Sequence, residues 1–424
     1  MVAESATILK RLLFLERELV LLQAGWLPAV AHWELKLLLP ELLWESSVFV
    51  RELRQRILEL RYPERRIAVD DDGALLGLFR RFGNAPHALA FGCALAEAIG
   101  PFLLGLHERY RQLADELDDA PTQLFLRHRL ADLRSQNERL ARVVAEGCAR
   151  FPAQAAAARG WRDTVADAFA RLRPESFLGA GPVAVPAVAL AGEVPFAIRR
   201  TGARDPRFCR LAFAWPDRIA PEPAGEGRQL QVRQAVHHVN EVWAAEMAAA
   251  CLFDFGRTAP HEFFDDAARW CFDEIRHCRM GYARLREWGF ADEEIPLDSF
   301  SYDAGAETDA LTRLGVIFFF ESTYINTKSE RTKLFAEMGD RLSSHDMDFD
   351  WADELIHTHY GKRWVEAFLA EEGGRRTPAE VKEQARQAVL RAQARATPDD
   401  RAATAAIFRQ ALTRISALPR AASF

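Results

Sequence analysis

Two short stretches of this chain place a carboxylate three positions before an imidazole: Asp273-Glu274-Ile275-Arg276-His277 and Asp353-Glu354-Leu355-Ile356-His357. Residues three apart on a helix point the same way, so each pair can aim both groups at one ion. A lone E-x-x-H is weak in a chain with 11 histidines, but two copies, each preceded by Asp, are a much stronger signal. Another glutamate, Glu241 or Glu321, stands 33 positions before each motif glutamate. The set Glu241, Glu274, His277, Glu321, Glu354 and His357 suits a pair of divalent ions. Four carboxylates neutralise and bridge them, and two imidazoles complete the shell without adding charge. Carboxylate and imidazole favour iron, with manganese as the other candidate, and the missing thiolate argues against structural zinc. Trp243, Phe272, Phe318, Phe319 and Phe320 surround these positions in the sequence, where an unpaired buried carboxylate would be very costly. Asp273 and Asp353 are placed to accept the second ring N–H of a ligand histidine on the opposite motif.

Four helices have to carry this set. Helical spacing and Gly/Pro punctuation place them at about 229–255, 260–289, 308–338 and 345–371, with a crossover through Pro296 to Glu307. Glu241 lies 14 residues before Phe255 and Glu274 14 after Pro260. A hairpin there brings both carboxylates to one height, about 21 Å from the turn. Two further helices are announced by Thr377-Pro378-Ala379-Glu380 and Thr397-Pro398-Asp399-Asp400, each with an N-cap residue, Pro and an acid. Residues 6 to about 150 also read as helices, with breaks near Pro40, at Tyr62-Pro63, across Val69 to Gly73 and at Asp118 to Pro121. The expected architecture is all-α: an N-terminal helical domain at 1–173, a Pro/Gly-rich connector at 174–228, a metal-binding four-helix bundle at 229–372 and packing helices at 373–424. Phe196, Phe208, Leu211, Phe213 and Trp215 give the connector apolar groups that need covering.

At these residues the sequence resembles the ferritin-like di-iron carboxylate superfamily, and Asp273 to His277 resembles the motif of bacterial multicomponent monooxygenases. It is similar in particular to a ferritin-like family catalogued as domain of unknown function 455. That likeness runs from about 195 to 370: the Pro-rich lead-in, Glu241 followed five residues later by Glu246, the run Glu262-Phe263-Phe264-Asp265-Asp266, Phe320-Glu321-Ser322, and Gly361-Lys362-Arg363-Trp364. The resemblance implies a ferritin-like bundle and carries over all six ligands. It departs after Glu321, where Ser322 to Thr327 is polar, and it leaves the first 190 residues unexplained. These residues could be a degenerate copy of the bundle, with Glu52, Gln55, Glu97, Phe125 and His128 where ligands would fall, or an unrelated helical domain; no metal is expected there.

Other candidates carry blander roles. His238, one turn before Glu241, is a possible extra ligand, but a supporting or solvent histidine is the commoner role. Glu246 competes for Glu241's role yet falls only nine residues from Phe255, too near the turn. Asp350 and His359 suit supporting contacts, Cys271 and Cys278 small buried thiols, and Tyr282 and Tyr324 core aromatics before radical sites. A net charge of −6 with interspersed signs offers no face for nucleic acid. Six cysteines without a C-x-x-C pair fit a reducing cytoplasm. Charges throughout Leu9 to Leu43 argue against a signal peptide or membrane span. The expected function is O2-dependent oxidation of a small organic substrate by hydroxylation, N-oxygenation, desaturation or oxidative cleavage. Electrons would come from outside, from a ferredoxin or flavin reductase, since no dinucleotide fingerprint or iron–sulfur cluster is encoded. A homodimer is the expected assembly. The rival expectation is non-catalytic iron or manganese handling, or ferroxidase action.

Overall fold

The computed structural model describes residues 1–68, 72–172, 174–179, 181–185, 196–214 and 227–417. The protein is all-α, with one two-residue parallel strand pair among the described residues. The chain divides into two compact units, Met1–Ile198 and Arg199–Phe424.

The first unit contains α1 (Val2–Trp26), α2 (Trp33–Glu59), α3 (Glu64–Ile67), α4 (Gly73–Arg81), α5 (Ala88–Ala94), α6 (Gly100–Leu113), α7 (Ala120–Arg150), α8 (Pro152–Ala170) and the single turn α9 (Pro174–Phe177). No break occurs near Pro40, which lies inside α2. Leu35, Leu38, Leu39, Leu42 and Leu43 bury around it, and that burial offsets the hydrogen bond proline removes. The expected break across Val69 to Gly73 lies largely outside the described residues. Ala88–Leu113 is long and apolar enough to cross a membrane, but 72% of its most apolar window is buried in the unit, as in the core helix of a globular protein. Glu52, Gln55, Glu97 and His128 are exposed and form no ligand cluster. The unit's interior instead holds Glu16, with Oε1 2.8 Å from His107 Nε2 and Oε2 accepting from Arg129 Nη2 at 2.7 Å. A guanidinium supplies the positive charge there.

In the second unit, β1 (Cys209–Arg210) pairs with β2 (Pro296–Leu297). The helices are α10 (Arg228–Asn240), α11 (Val242–Phe255), α12 (His261–Glu287), α13 (Phe300–Ala306), α14 (Ala310–Glu337), α15 (Arg341–Glu371), α16 (Pro378–Ala394) and α17 (Pro398–Ala417). α11 packs on α12 and α14, and α15 closes the ring by packing on α12 and α14. α13 and α16 lie against α14 or each other, and α17 against α10. Phe208, Leu211 and Phe213 of the lead-in are buried, whereas Trp215 lies outside the described residues. The crossover expected at 296–307 contains α13, and the single helix expected over 229–255 is broken at Glu241.

Local chemistry fixes the ends. Asp309 and Asp340 cap α14 and α15 by accepting from Thr312 N and Ser343 N, and Gly339 turns between them at φ +75°. Thr377 and Glu380 form a reciprocal capping box on α16. Gly281 lets α10 and α12 meet backbone to side: a Cβ there would strike Val239 N and Ala235 O. That close approach brings the end of α10, with Glu241 after it, beside the E-x-x-H turn of α12.

Candidate metal centre

Glu274 and His277 project from α12, Glu354 and His357 from α15, and Glu321 from α14, while Glu241 stands at the junction of α10 and α11. All six are buried, none more than 6% exposed. The structure brings them into two adjoining groups. In one, ligand atoms of Glu241, His277, Asp350 and Glu354 lie within 4.8 Å of one another, and in the other those of Glu274, Glu321, Glu354 and His357 do. Glu354 belongs to both groups. Glu274 also faces both imidazoles, with carboxylate oxygens 2.9 Å from His357 Nδ1 and 3.6 Å from His277 Nδ1.

Each of the six contributes one buried atom that makes no well-aligned hydrogen bond among the described residues: Glu241 Oε2, Glu274 Oε1, His277 Nδ1, Glu321 Oε2, Glu354 Oε2 and His357 Nδ1, although Glu274 Oε1 and His357 Nδ1 stand within ion-pair reach at 2.9 Å. A single buried, unsatisfied polar atom costs about 1–3 kcal/mol, more when charged. Six of them aimed at one region are the arrangement that a cation satisfies, so these residues fit metal binding. The donor set is oxygen and nitrogen. The Cys278 thiol donates to Val239 O, and burial pushes the Cys271 and Cys278 thiols well up, away from the thiolate a metal would need.

Around this core the two motifs brace each other crosswise. His277 Nε2 lies 3.2 Å from Asp353 Oδ2, and His357 Nε2 3.4 Å from Asp273 Oδ2. Each Nε2–H given to a carboxylate leaves its Nδ1 as the electron-pair donor facing inward. Arg269 Nε and Arg276 Nη1 both donate to Asp273 at 2.6 Å, and Arg276 Nη1 also reaches Asp353 at 3.1 Å. Burial works against the Asp273 charge, but His357 and Arg269 hold its carboxyl down at about 2. Trp270 stacks on His357 at 5.3 Å and donates Nε1–H to Glu321 at 3.2 Å.

Without a cation the cluster is overcrowded with negative charge. Burial, Glu354 and Glu274 lift the Glu321 carboxyl well above its usual range, and burial with Glu274 and Asp350 pushes Glu354 up to about 7 against the pull of Lys328. The imidazoles respond oppositely: burial would depress them, but neighbouring carboxylates raise His357 to about 9 and His277 well above its ordinary value. These groups hold protons where metal ions would otherwise sit.

Of the further sequence candidates, His238 meets the cluster through Asp350, Nε2 to Oδ2 at 3.3 Å, and through the His277 ring, 6.3 Å away centre to centre. Glu246 is not brought in. Its buried carboxylate takes both Nη groups of Arg204 at 2.7 and 3.0 Å, because five residues beyond Glu241 turns it to another side of α11. His359 is exposed, Tyr282 donates to Asp292, and the Tyr324 side chain lies outside the described residues. Three contributors escaped the sequence reading in whole or in part. Asp350 stands in the cluster itself rather than behind it. Lys328 Nζ donates to Asp350 Oδ1 at 2.6 Å and Glu354 Oε1 at 2.9 Å. His237 Nε2 lies 3.1 Å from Glu241 Oε1. Each is four or seven positions from a ligand, a helical spacing that marks it as a neighbour without showing that it is buried.

A narrow cleft with about 20 Å³ of free space, little more than one water molecule needs, reaches Glu241, Glu274, Glu321 and Glu354. Trp243 and Phe320, ring centroids 5.1 Å apart, contribute apolar walls. Against known proteins, a family model described as a protein of unknown function (DUF455) matches residues 200–411. None of the curated proteins and none of the solved structures matches the chain.

Proposed function

The chain belongs to the DUF455 family of proteins of unknown function, and we propose that this member is a ferritin-like, non-haem di-iron enzyme that uses O2 to oxidise a small organic substrate. One observation carries the reading. Six buried ligand atoms, without a well-aligned hydrogen bond among the described residues, converge on two adjoining positions that share Glu354. Four Glu and two His from four helices are the ligand set of di-iron and di-manganese carboxylate bundles. A pair of ferrous ions bound there supplies the one-electron chemistry needed to react with O2.

The chain's own residues prepare that site. Glu354 belongs to both positions, Glu274 faces both imidazoles, and Asp353 and Asp273 fix the tautomers of His277 and His357. Lys328 holds a proton against Glu354 Oε1 and offsets the extra charge of Asp350. Trp243 and Phe320 narrow the approach and limit water. For a hydroxylation, one oxygen atom enters the substrate and the other leaves as water, with two electrons and two protons taken up. The electrons come from an external ferredoxin or flavin reductase. Six free cysteines suit a reducing cytoplasm as its location.

The test is chemical. Protein from iron-replete cells should contain about two irons per chain, and the reduced form should develop visible absorption on mixing with O2. A zinc-only or metal-free protein that stays colourless overturns the proposal. Many ions per chain in a large symmetric cage would instead mark iron handling.

A further inference from the structure

We propose that a second copy of this chain packs on the outer face of α15, antiparallel about a twofold axis at Leu355, with Asp348 of each copy paired to Lys362 of the other.

The helix is built inside out. Its inward face carries Asp350, Asp353, Glu354 and His357, all buried, and its outward face carries Phe349, Ala352, Leu355 and Ile356. A helix on the outside of a bundle ordinarily shows the reverse pattern. Phe349 is 49% exposed, Leu355 54% and Ile356 40%. Leu334, Met338 and Leu342, around the turn from α14, are exposed as well, and no other large apolar side chain is exposed among the described residues of the second unit. Singly scattered apolar groups are ordinary on a surface, but six gathered on one hairpin make a patch of the kind that a protein partner covers. Leu342, Phe349 and Ile356 recur at the seven-residue spacing of a helix–helix seam, and Ala352 is small enough to let a facing helix come close.

Charge identifies the partner. Asp348 and Lys362 are exposed beside this stripe, and neither has an ion-pair partner among the described residues. They stand seven residues before and seven after Leu355. Seven residues make nearly two turns, so the three side chains share one line along the helix at intervals of about 10 Å. A twofold rotation at Leu355 that reverses the helix direction sets Asp348 against the partner's Lys362 at one end and repeats the pair at the other. The two copies of Leu355 meet at the axis. A parallel pairing in the same register would instead oppose acid to acid and base to base, so the surface is complementary to itself in the antiparallel sense. A self-complementary patch closing on a twofold axis is the commonest geometry of homodimers.

The experiment is sedimentation velocity on the full chain at micromolar concentration, where the main species should have twice the 47.9 kDa mass of one chain. Leu355→Asp brings two carboxylates together at the axis and should give monomer. Asp348→Lys or Lys362→Asp alone makes both flanking pairs like-charged and should weaken association about tenfold or more, while the two changes together restore opposite charges and should recover most of it. All these positions are exposed and none lies in the metal cluster, so helicity and metal uptake should be unchanged in every variant. A wild-type chain that stays monomeric, a dimer that persists in Leu355→Asp, or a double variant that associates no better than the single ones overturns the inference. A monomer in which Phe349 resists photochemical labelling also overturns it, and gives this face to another part of the same chain.

Discussion

Removing the metal should make the second unit lose stability as pH rises from 6 to 9. Without a cation, the buried Glu354 carboxyl sits at about 7 rather than its ordinary 4.5. Its folded form therefore favours the proton, and its contribution is lost as pH climbs from 4.5 through 7. His357 is raised from 6.5 to about 9. Its contribution is fully present below 6.5 and disappears as pH passes 9. Each displacement corresponds to about 3 kcal/mol across its full range, and the parts falling between pH 6 and 9 sum to about 4 kcal/mol. Glu321 and His277 are raised as well and act in the same direction. Glu241 and Asp273 are held below their ordinary values, so their share is lost only in acid, outside this window. A loss of that size is a large part of a typical domain stability of roughly 5–15 kcal/mol. Bound metal replaces the protons, so its stabilisation should grow with pH. The assay is urea unfolding of the full chain at pH 6, 7, 8 and 9, with chelator or with excess ferrous or cobalt ion under argon. Glu354→Gln, which carries no titrating group, should flatten the metal-free profile by about a third, the Glu354 share of that loss. A metal-free protein as stable at pH 9 as at pH 6 would refute the charge-crowding argument.

Other substitutions separate ligands from their surroundings. Asp273→Asn should weaken metal binding by about 10–100-fold, read by chelator competition, because a neutral amide replaces the carboxylate charge that supports the basicity of His357. Glu246→Ala should leave two metal ions per chain yet destabilise the protein by about 3–5 kcal/mol in urea, since it strands the buried Arg204 charge. Gly281→Ala should cost about 1–3 kcal/mol and also weaken metal binding, because the added Cβ must push α10 off α12 and with it Glu241.

How much of this was legible in the sequence depended on periodicity. The E-x-x-H pairs could be read because a spacing of three survives any detail of packing, and the matching offset of 33 located Glu241 and Glu321 on their partner helices. Helix ends at Pro260, Gly339, Thr377 and Thr397 were legible because caps are local chemistry. The interruption at Glu241 was not, since Val239-Asn240-Glu241-Val242 contains no breaker, and the junction is seen only in the folded chain. Pro40 misled in the other direction, because tertiary burial around α2 overrides a local penalty. Lys328 was hidden, and Asp350 was read only as a supporting contact, for another reason. An acid and a base near a motif look like ordinary surface charges until the helices are docked and both prove to be buried.

The central claim is that two cations share the space between these six side chains. Diffraction from crystals of iron-loaded protein, recorded on either side of the iron absorption edge, locates them directly. The account predicts two anomalous peaks about 3.5–4 Å apart, the spacing of two-metal sites, with Glu354 reaching both. A single peak, or iron bound away from Glu274 and His357, would contradict it.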